Sequence, residues 1–230
     1  MSQRKYNTKI AIDGPAGTGK STVSREVSRR LKLKYLDTGA MYRAITLKFI
    51  REKADLSDLE AVKKILADTS IKLTDNQEVF LDGQKVTDEI RGAEVNKLVS
   101  PVSAISQVRR QMVDMQRAIA EESEGIVMEG RDIASKVMPD ADFKFYLDAS
   151  LVERARRRRN ELKDKGVILS EDEVITEIKN RDSIDSRRED SPLTRVLDAI
   201  VIDTTELSFE AVVDKIIKRV SDRLSYQKAR

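Results

Sequence analysis

Apolar positions along this 230-residue chain fall into short runs separated by longer stretches of helical spacing. Ile10-Ala-Ile12, in a run rich in β-branched residues, predicts a first strand over roughly 8–13. Val23, Val27 and Leu31 then recur at helical spacing and predict a helix over about 20–32. Lys34-Tyr-Leu-Asp37 reads as a second short strand, followed by a polar turn and a helix opening near Gly39.

Between about 69 and 87 the period changes from helical to alternating. Ile71-Lys-Leu-Thr74, Glu78-Val-Phe-Leu81 and Gln84-Lys-Val86 predict three short strands, the last two joined by Asp82-Gly83, a favoured two-residue hairpin turn. A lone hairpin is only marginally stable, so the expected unit is a three-stranded meander with a covering helix, inserted into a larger chain. A long helix is predicted over about 101–121, starting at Pro101 in the first-turn position that proline favours. Gly125 to Asp132 and Phe143 to Asp148 are further strands. An arginine-rich helix follows, is broken by Gly166, and gives way to a second charged helix over about 171–188. Ala199-Ile-Val-Ile-Asp203 and a helix from Ser208, a plausible N-cap, to about 224 complete the pattern. Strands alternating with helices imply a doubly wound α/β fold with a parallel sheet.

Composition narrows the chemistry more than the fold. The chain is 36% charged and 40% hydrophobic, as expected of a soluble globular protein, and no 18-residue apolar span occurs in it. Its first residues, Met1-Ser-Gln-Arg-Lys-Tyr6, are polar and carry no signal-peptide core, so the expectation is a cytoplasmic protein with no membrane partner. A net charge of only +3 gives no global argument for nucleic acid. Cysteine and histidine are both absent, which excludes disulfides, thiolate nucleophiles, Cys/His zinc sites and imidazole acid–base catalysis. Carboxylates, amines, guanidinium groups, hydroxyls and a hard metal ion remain. That inventory suits phosphoryl transfer.

The strand-to-helix junction Ile10 to Thr22 carries the clearest chemistry. Gly14, Gly19, Lys20 and Ser21 fit G-x-x-x-x-G-K-[ST], with Pro15, Ala16, Gly17 and Thr18 between them and Thr22 after. Glycines let backbone N–H groups turn inward on a phosphate, and the following helix presents its positive dipole end. Lys20 is expected on the β- and γ-phosphates of a nucleoside triphosphate, and Ser21 in a Mg2+ shell.

Charged residues cluster in three other places. Arg154, Arg157 and Arg158 share one helix face. They read as a polyphosphate clamp, a solvated surface or an RNA-contacting helix, and the phosphate loop in the same chain favours the clamp. Arg181, Asp185 and Arg188 repeat that spacing, and pattern alone leaves open a surface salt-bridge stripe or a phosphate and hydroxyl site. Glu129, Arg131 and Asp132 end an apolar strand at the edge where open α/β sheets bind ligands, and Glu129 there is a candidate to act on Mg2+ through water. Asp37 and Thr38 sit at a second such strand end. From spacing alone Arg43, Ser100 and Arg109 carry no functional signal.

Taken in order, these motifs resemble the bacterial cytidylate kinases. The resemblance rests on Ile12-Asp-Gly-Pro-Ala-Gly-Thr-Gly-Lys-Ser21, Leu36-Asp-Thr-Gly-Ala-Met-Tyr-Arg43 and Glu129-Gly-Arg-Asp132. It continues through Arg181-Asp with Asp185 and Arg188, and through Asp203-Thr-Thr205. It implies transfer of the γ-phosphoryl group of ATP to CMP and dCMP by a monomer that binds no nucleic acid. It also implies a phosphate-loop (P-loop NTPase) fold with a five-stranded parallel core over 1–62 and 101–230, a lid at about 150–190 and a nucleoside monophosphate-binding insert at 63–100.

By that resemblance Ser100, Arg109 and Asp132 read cytosine, and Arg181 and Asp185 hold ribose. Thr38, Arg43, Arg131 and Arg188 form the α-phosphate pocket, with Asp37 beside it. Lys20, Arg131, Arg154, Arg157 and Arg158 are the catalytic cations, the last three in the lid over ATP, and Asp203–Thr205 flanks adenine. Thr38 stands where some relatives have serine, Glu129 where others have aspartate, and Ser21 where some have glycine.

Overall fold

The computed structural model describes residues 8–164 and 166–228; the polar first residues read above lie outside that range. Five strands form one parallel sheet: β1 (Lys9–Asp13), β2 (Lys34–Asp37), β6 (Ile126–Gly130), β7 (Phe143–Asp148) and β8 (Ile200–Asp203), in the order β2-β6-β1-β7-β8. The other three strands are the predicted meander: β3 (Ile71–Leu73), β4 (Val79–Leu81) and β5 (Gln84–Lys85). Asp82 and Gly83 both take positive φ, 49° and 78°, the primed turn their sequence favours.

The sheet buries both faces. On one side Ile10, Ile12, Val127, Phe143 and Phe145 pack against Val23 and Val27 of α1 (Lys20–Leu31) and Val212, Val213, Ile216 and Val220 of α8 (Phe209–Lys228). On the other side Ala11, Leu36, Ile126 and Met128 meet α2 (Thr38–Arg51), α3 (Leu59–Ala67), α4 (Ala93–Ala104) and α5 (Ser106–Glu121). The apolar residues of the meander, Ile71, Val79 and Leu81, join this second core, so the insert rests on α2 rather than closing on itself. Helices α6 (Leu151–Asp164) and α7 (Glu171–Arg187) enclose a small separate core of Ala155, Leu162, Val174 and Ile178. Among the described residues no helix is long and apolar enough to cross a membrane.

One expectation is corrected. The single helix predicted over 101–121 is two, α4 and α5, broken at Ile105, whose ψ of 122° is extended. Pro101 lies inside α4 rather than opening a helix. Val95, Val99 and Val102 occupy one face of α4 and are all buried. Their packing outweighs the hydrogen bond and steric cost of an interior proline, about 3 kcal/mol, because Pro101 itself faces outward. Ser100 and Ser103 therefore sit in the last turns of α4, facing inward.

Candidate active site

The phosphate loop is built by close approach. Gly14 follows β1 so tightly that a Cβ on it would lie 2.1 Å from the Leu147 carbonyl oxygen of the neighbouring β7. A Cβ on Gly17 would meet the backbone oxygen and Cβ of Arg154, each at 3.0 Å. Side-chain hydroxyls stitch the loop internally: Thr18 donates to the Pro15 carbonyl at 3.1 Å and Thr22 to the Gly19 carbonyl at 2.9 Å. The N-cap of α1, Gly19, supplies no side-chain acceptor, and its first turn holds no acid. Helices α2, α3 and α7, by contrast, are capped by Asp37, Asp58 and a Ser170/Glu173 capping box. The opening N–H groups of α1 are left for an anion.

Lys20 is buried and folds over this loop, donating from Nζ to the Pro15 carbonyl at 2.6 Å. Burial, aided by Arg131, pushes its amine well below the usual lysine range, while Glu129 and Asp13 oppose the shift. Glu129 is Cα-paired with both Ile12 and Asp37 across the sheet, which puts two carboxylates side by side at the strand ends. Its carboxyl accepts from the Tyr35 hydroxyl at 3.0 Å and is pushed up by burial first and by Asp37 second. Thr38 ties α2 to this edge, its hydroxyl donating to the Glu129 carbonyl at 2.7 Å.

Opposite the loop lies a chain of alternating charges. Arg109, 1% exposed, pairs with Asp132, donates to the Ser103 carbonyl at 3.3 Å and stacks over the Tyr42 ring at 5.0 Å. Asp132 also faces Arg188 at 3.6 Å, Arg188 faces Asp185 at 3.5 Å, and Asp185 accepts from Arg131 at 2.8 Å. Arg181 stands next to this chain with a buried Nε that has no hydrogen-bond partner among the described residues. Burial, with Arg131 nearby, pulls its guanidinium down to about 10. Arg43, also drawn down to about 10 by burial, is aimed by the insert through the Ile90 carbonyl and Asn96 at 3.2 and 2.5 Å. Cations exceed carboxylates here, so the pocket attracts an anion.

Both halves open on one cleft of about 560 Å³. Sixteen charged or hydroxylated candidates from the sequence line it: Lys20, Ser21, Thr22, Asp37, Thr38, Arg43, Ser100, Arg109, Glu129, Arg131, Asp132, Arg157, Arg158, Arg181, Asp185 and Arg188, with Ala16, Gly17 and Gly19 of the loop. Gly14, Pro15 and Thr18 shape the loop from behind. Arg154 also lies outside the lining: it grips the Ala16 and Ala149 carbonyls and pairs with Asp182. Arg157 reaches the Thr204 carbonyl and hydroxyl at 2.6 and 2.9 Å, joining α6 to the end of β8, and Arg158 pairs with Glu161 and Glu177.

Several contributors were missed in sequence. Tyr42, within a quoted motif, forms the floor under Arg109. Asp13 accepts from the Ile133 and Ala134 amides at 2.9 and 2.8 Å, fixing the turn just after Asp132. Arg91, on the insert, reaches the cleft 3.9 Å from Asp37. Only Asp13 carried a signal, as a charged residue ending an apolar strand.

A parallel sheet with a phosphate loop at its carboxyl edge, facing a second anion pocket across one cleft, defines a phosphate-loop kinase of small-molecule phosphates. The chain belongs to the cytidylate kinase family, whose model matches residues 10–222. It is 52% identical over 212 residues to the cytidylate kinase of Caldanaerobacter subterraneus subsp. tengcongensis, covering 92% of this chain and 94% of that one. The cytidylate kinase of Pelotomaculum thermopropionicum is 50% identical over 216 residues, covering 92% and 95%. Among solved structures, an uncharacterized protein from Eubacterium ventriosum shares the fold at 13% identity, with a TM-score of 0.53 over 93% of this chain and 98% of that one.

Proposed function

We propose that the protein transfers the γ-phosphoryl group of ATP to CMP and dCMP, releasing ADP and CDP or dCDP. The observation that carries this reading is the buried Arg109–Asp132 pair opening on the same cleft as the phosphate loop. Cytosine offers an amino group to donate and ring N3 and O2 to accept. Asp132 and the Ser100 hydroxyl suit the first, and Arg109 suits the second. Uracil reverses donor and acceptor at two of these positions and would leave buried groups unpaired, a costly mismatch.

Arg43, Arg131, Arg188 and Thr38 hold the CMP phosphate beside Asp37, and Arg181 and Asp185 hold the ribose. The loop from Gly14 to Thr22 cradles the ATP phosphates. On substrate binding Lys20 exchanges the Pro15 carbonyl for phosphate oxygens, whose negative charge offsets the burial that disfavours its ammonium form. Arg157 and Arg158 add positive charge from the lid, at about 150–190, while Arg154 keeps the loop in shape.

The donors at the α1 start, the Ser21 hydroxyl and the Glu129 carboxylate, are oxygens suited to a hard cation, and among the described residues no group of three acidic ligands forms a cage. Ser21 would hold Mg2+ directly and Glu129 through water, with ATP and water completing the shell. When bound there, the ion would supply charge neutralisation on the ATP phosphates. The accepting CMP oxygen is already ionised, so no general base is needed, in keeping with a chain without histidine. Closure of the lid over the insert at 63–100 excludes water from the transfer. The cytoplasm and a monomeric state complete the reading.

The test is ADP release from ATP with Mg2+ and separate acceptors: CMP, dCMP, UMP, AMP, GMP or none. Rapid turnover confined to CMP and dCMP is expected. Equal turnover with UMP would sink the base assignment, and ADP release independent of any acceptor would sink the kinase reading.

A further inference from the structure

We infer that Asp182 is a positioning residue that couples the monophosphate side of the cleft to the phosphate loop. Arg181 and Asp185 on α7, and Arg188 just past its end, line the cleft, but Asp182, one residue after Arg181, turns about 100° around the helix and leaves it. Its Oδ1 accepts from the Ala16 amide at 3.2 Å, and its Oδ2 takes the Arg154 guanidinium. The same Nη1 of Arg154 donates to the Ala16 carbonyl at 3.1 Å. Both polar ends of one loop residue are thus held from outside, the N–H by α7 and the carbonyl by α6. The next residue is Gly17, and only the absence of a Cβ lets Arg154 lie so close. Arg154 is anchored in turn to the Ala149 carbonyl at the end of β7, at 3.2 Å.

Neither Asp182 nor Arg154 lines the cleft, so their action on the reaction runs through Ala16. A ligand that fixes α7 through Asp185, and its C-terminal end through Arg188, also fixes Asp182, and with it the loop that receives ATP. The coupling is reciprocal, because a cycle of binding free energies must close. This inference rests on the assignment of Asp185 and Arg188 to CMP.

The experiment is calorimetric binding of a non-hydrolysable ATP analogue with Mg2+, with and without saturating CMP, in the parent, Asp182→Asn, Arg154→Gln, the double variant and Asp185→Ala. Asparagine keeps the shape at 182 but sets an amide against the Arg154 guanidinium. In the parent, CMP is expected to tighten the analogue about 5–10-fold, in the range usual for coupled sites. In Asp182→Asn the ratio falls below about 2-fold while CMP alone binds within about 2-fold of the parent, and the double variant is no worse than either single one. If Asp182→Asn does not fold, Asp182→Glu, which keeps the charge but displaces it, is read by the same ratio. A parent without coupling, an Asp182→Asn variant that keeps it, or parallel loss of both ligands with the melting temperature would each overturn the inference. Undiminished CMP binding in Asp185→Ala would overturn the site assignment instead.

Discussion

The two halves of the cleft are made in opposite ways. The side proposed for ATP is a contiguous run from Gly14 to Thr22 in which the backbone would bind, and its side chains mostly shape the loop. The side proposed for CMP is drawn from α2, α4, α5, β6 and α7 and the residues at their ends, and there charged side chains would bind while the backbone only carries them. The first depends on local conformation, which few residues can spoil. The second depends on desolvated charges balancing one another, so losing one member exposes the rest. A site of amides is thus tolerant and general; a site of buried charges is selective and fragile.

The largest effect expected within this contrast is chemical. Lys20→Ala removes the loop's one charged group and should lower kcat by about a thousandfold or more. Because burial opposes its charge, thermal melting should hold or rise. Near-parental turnover would contradict the mechanism.

Arg109→Met tests fragility on the other side. It strands Asp132 in a buried site with only the more distant Arg188, and should cost about 3–5 kcal/mol in urea unfolding. Turnover over KM for CMP should fall about a hundredfold while binding of the ATP analogue alone stays near parental. Equal loss on both sides would erase the distinction between the halves.

Asp13 sits at their seam, on the strand that feeds the loop and bonded to the turn that follows Asp132. Burial pushes its carboxyl from 3.8 up to about 7. The folded chain thus holds a proton that the unfolded chain gives up, which stabilises it below the unfolded value and is lost as pH rises through about 7. Asp13→Asn has no such proton, so its stability relative to the parent should rise between about pH 4 and 8. Urea midpoints at the two ends measure this, and a pH-independent difference would rule it out.

The smallest effect lies outside both halves. Arg156 pairs with Glu153 on the exposed face of α6. Arg156→Ala should leave the urea midpoint near parental and change turnover by less than about 2-fold. A larger loss of turnover would extend the ATP side into the solvent face of the lid.

The order of strands and helices, the meander and its Asp82-Gly83 turn, and the phosphate loop were legible because each follows from residues a few positions apart. Alternation, helical spacing and glycine placement are short-range signals, and local sterics dictate their outcome. Where packing overrode a local preference the reading failed: Pro101 marks a helix start by propensity, yet the buried valines of α4 carry the helix through it. The resemblance to a family named Ser100 and Arg109 as site residues, while their own spacing said nothing.

What the tertiary structure alone decided is partnership. The i, i+3 and i, i+4 spacings of the lid arginines suit a clamp, a surface or a scaffold equally. Only the fold sends Arg157 to Thr204 and turns Arg154 away from the cleft onto Ala16 and Asp182. Arg109 and Asp132 lie 23 residues apart, and Arg131 and Asp185 lie 54 apart. A residue's chemistry is written in its side chain, but whether a charge meets water, phosphate or another charge is set by which elements pack around it.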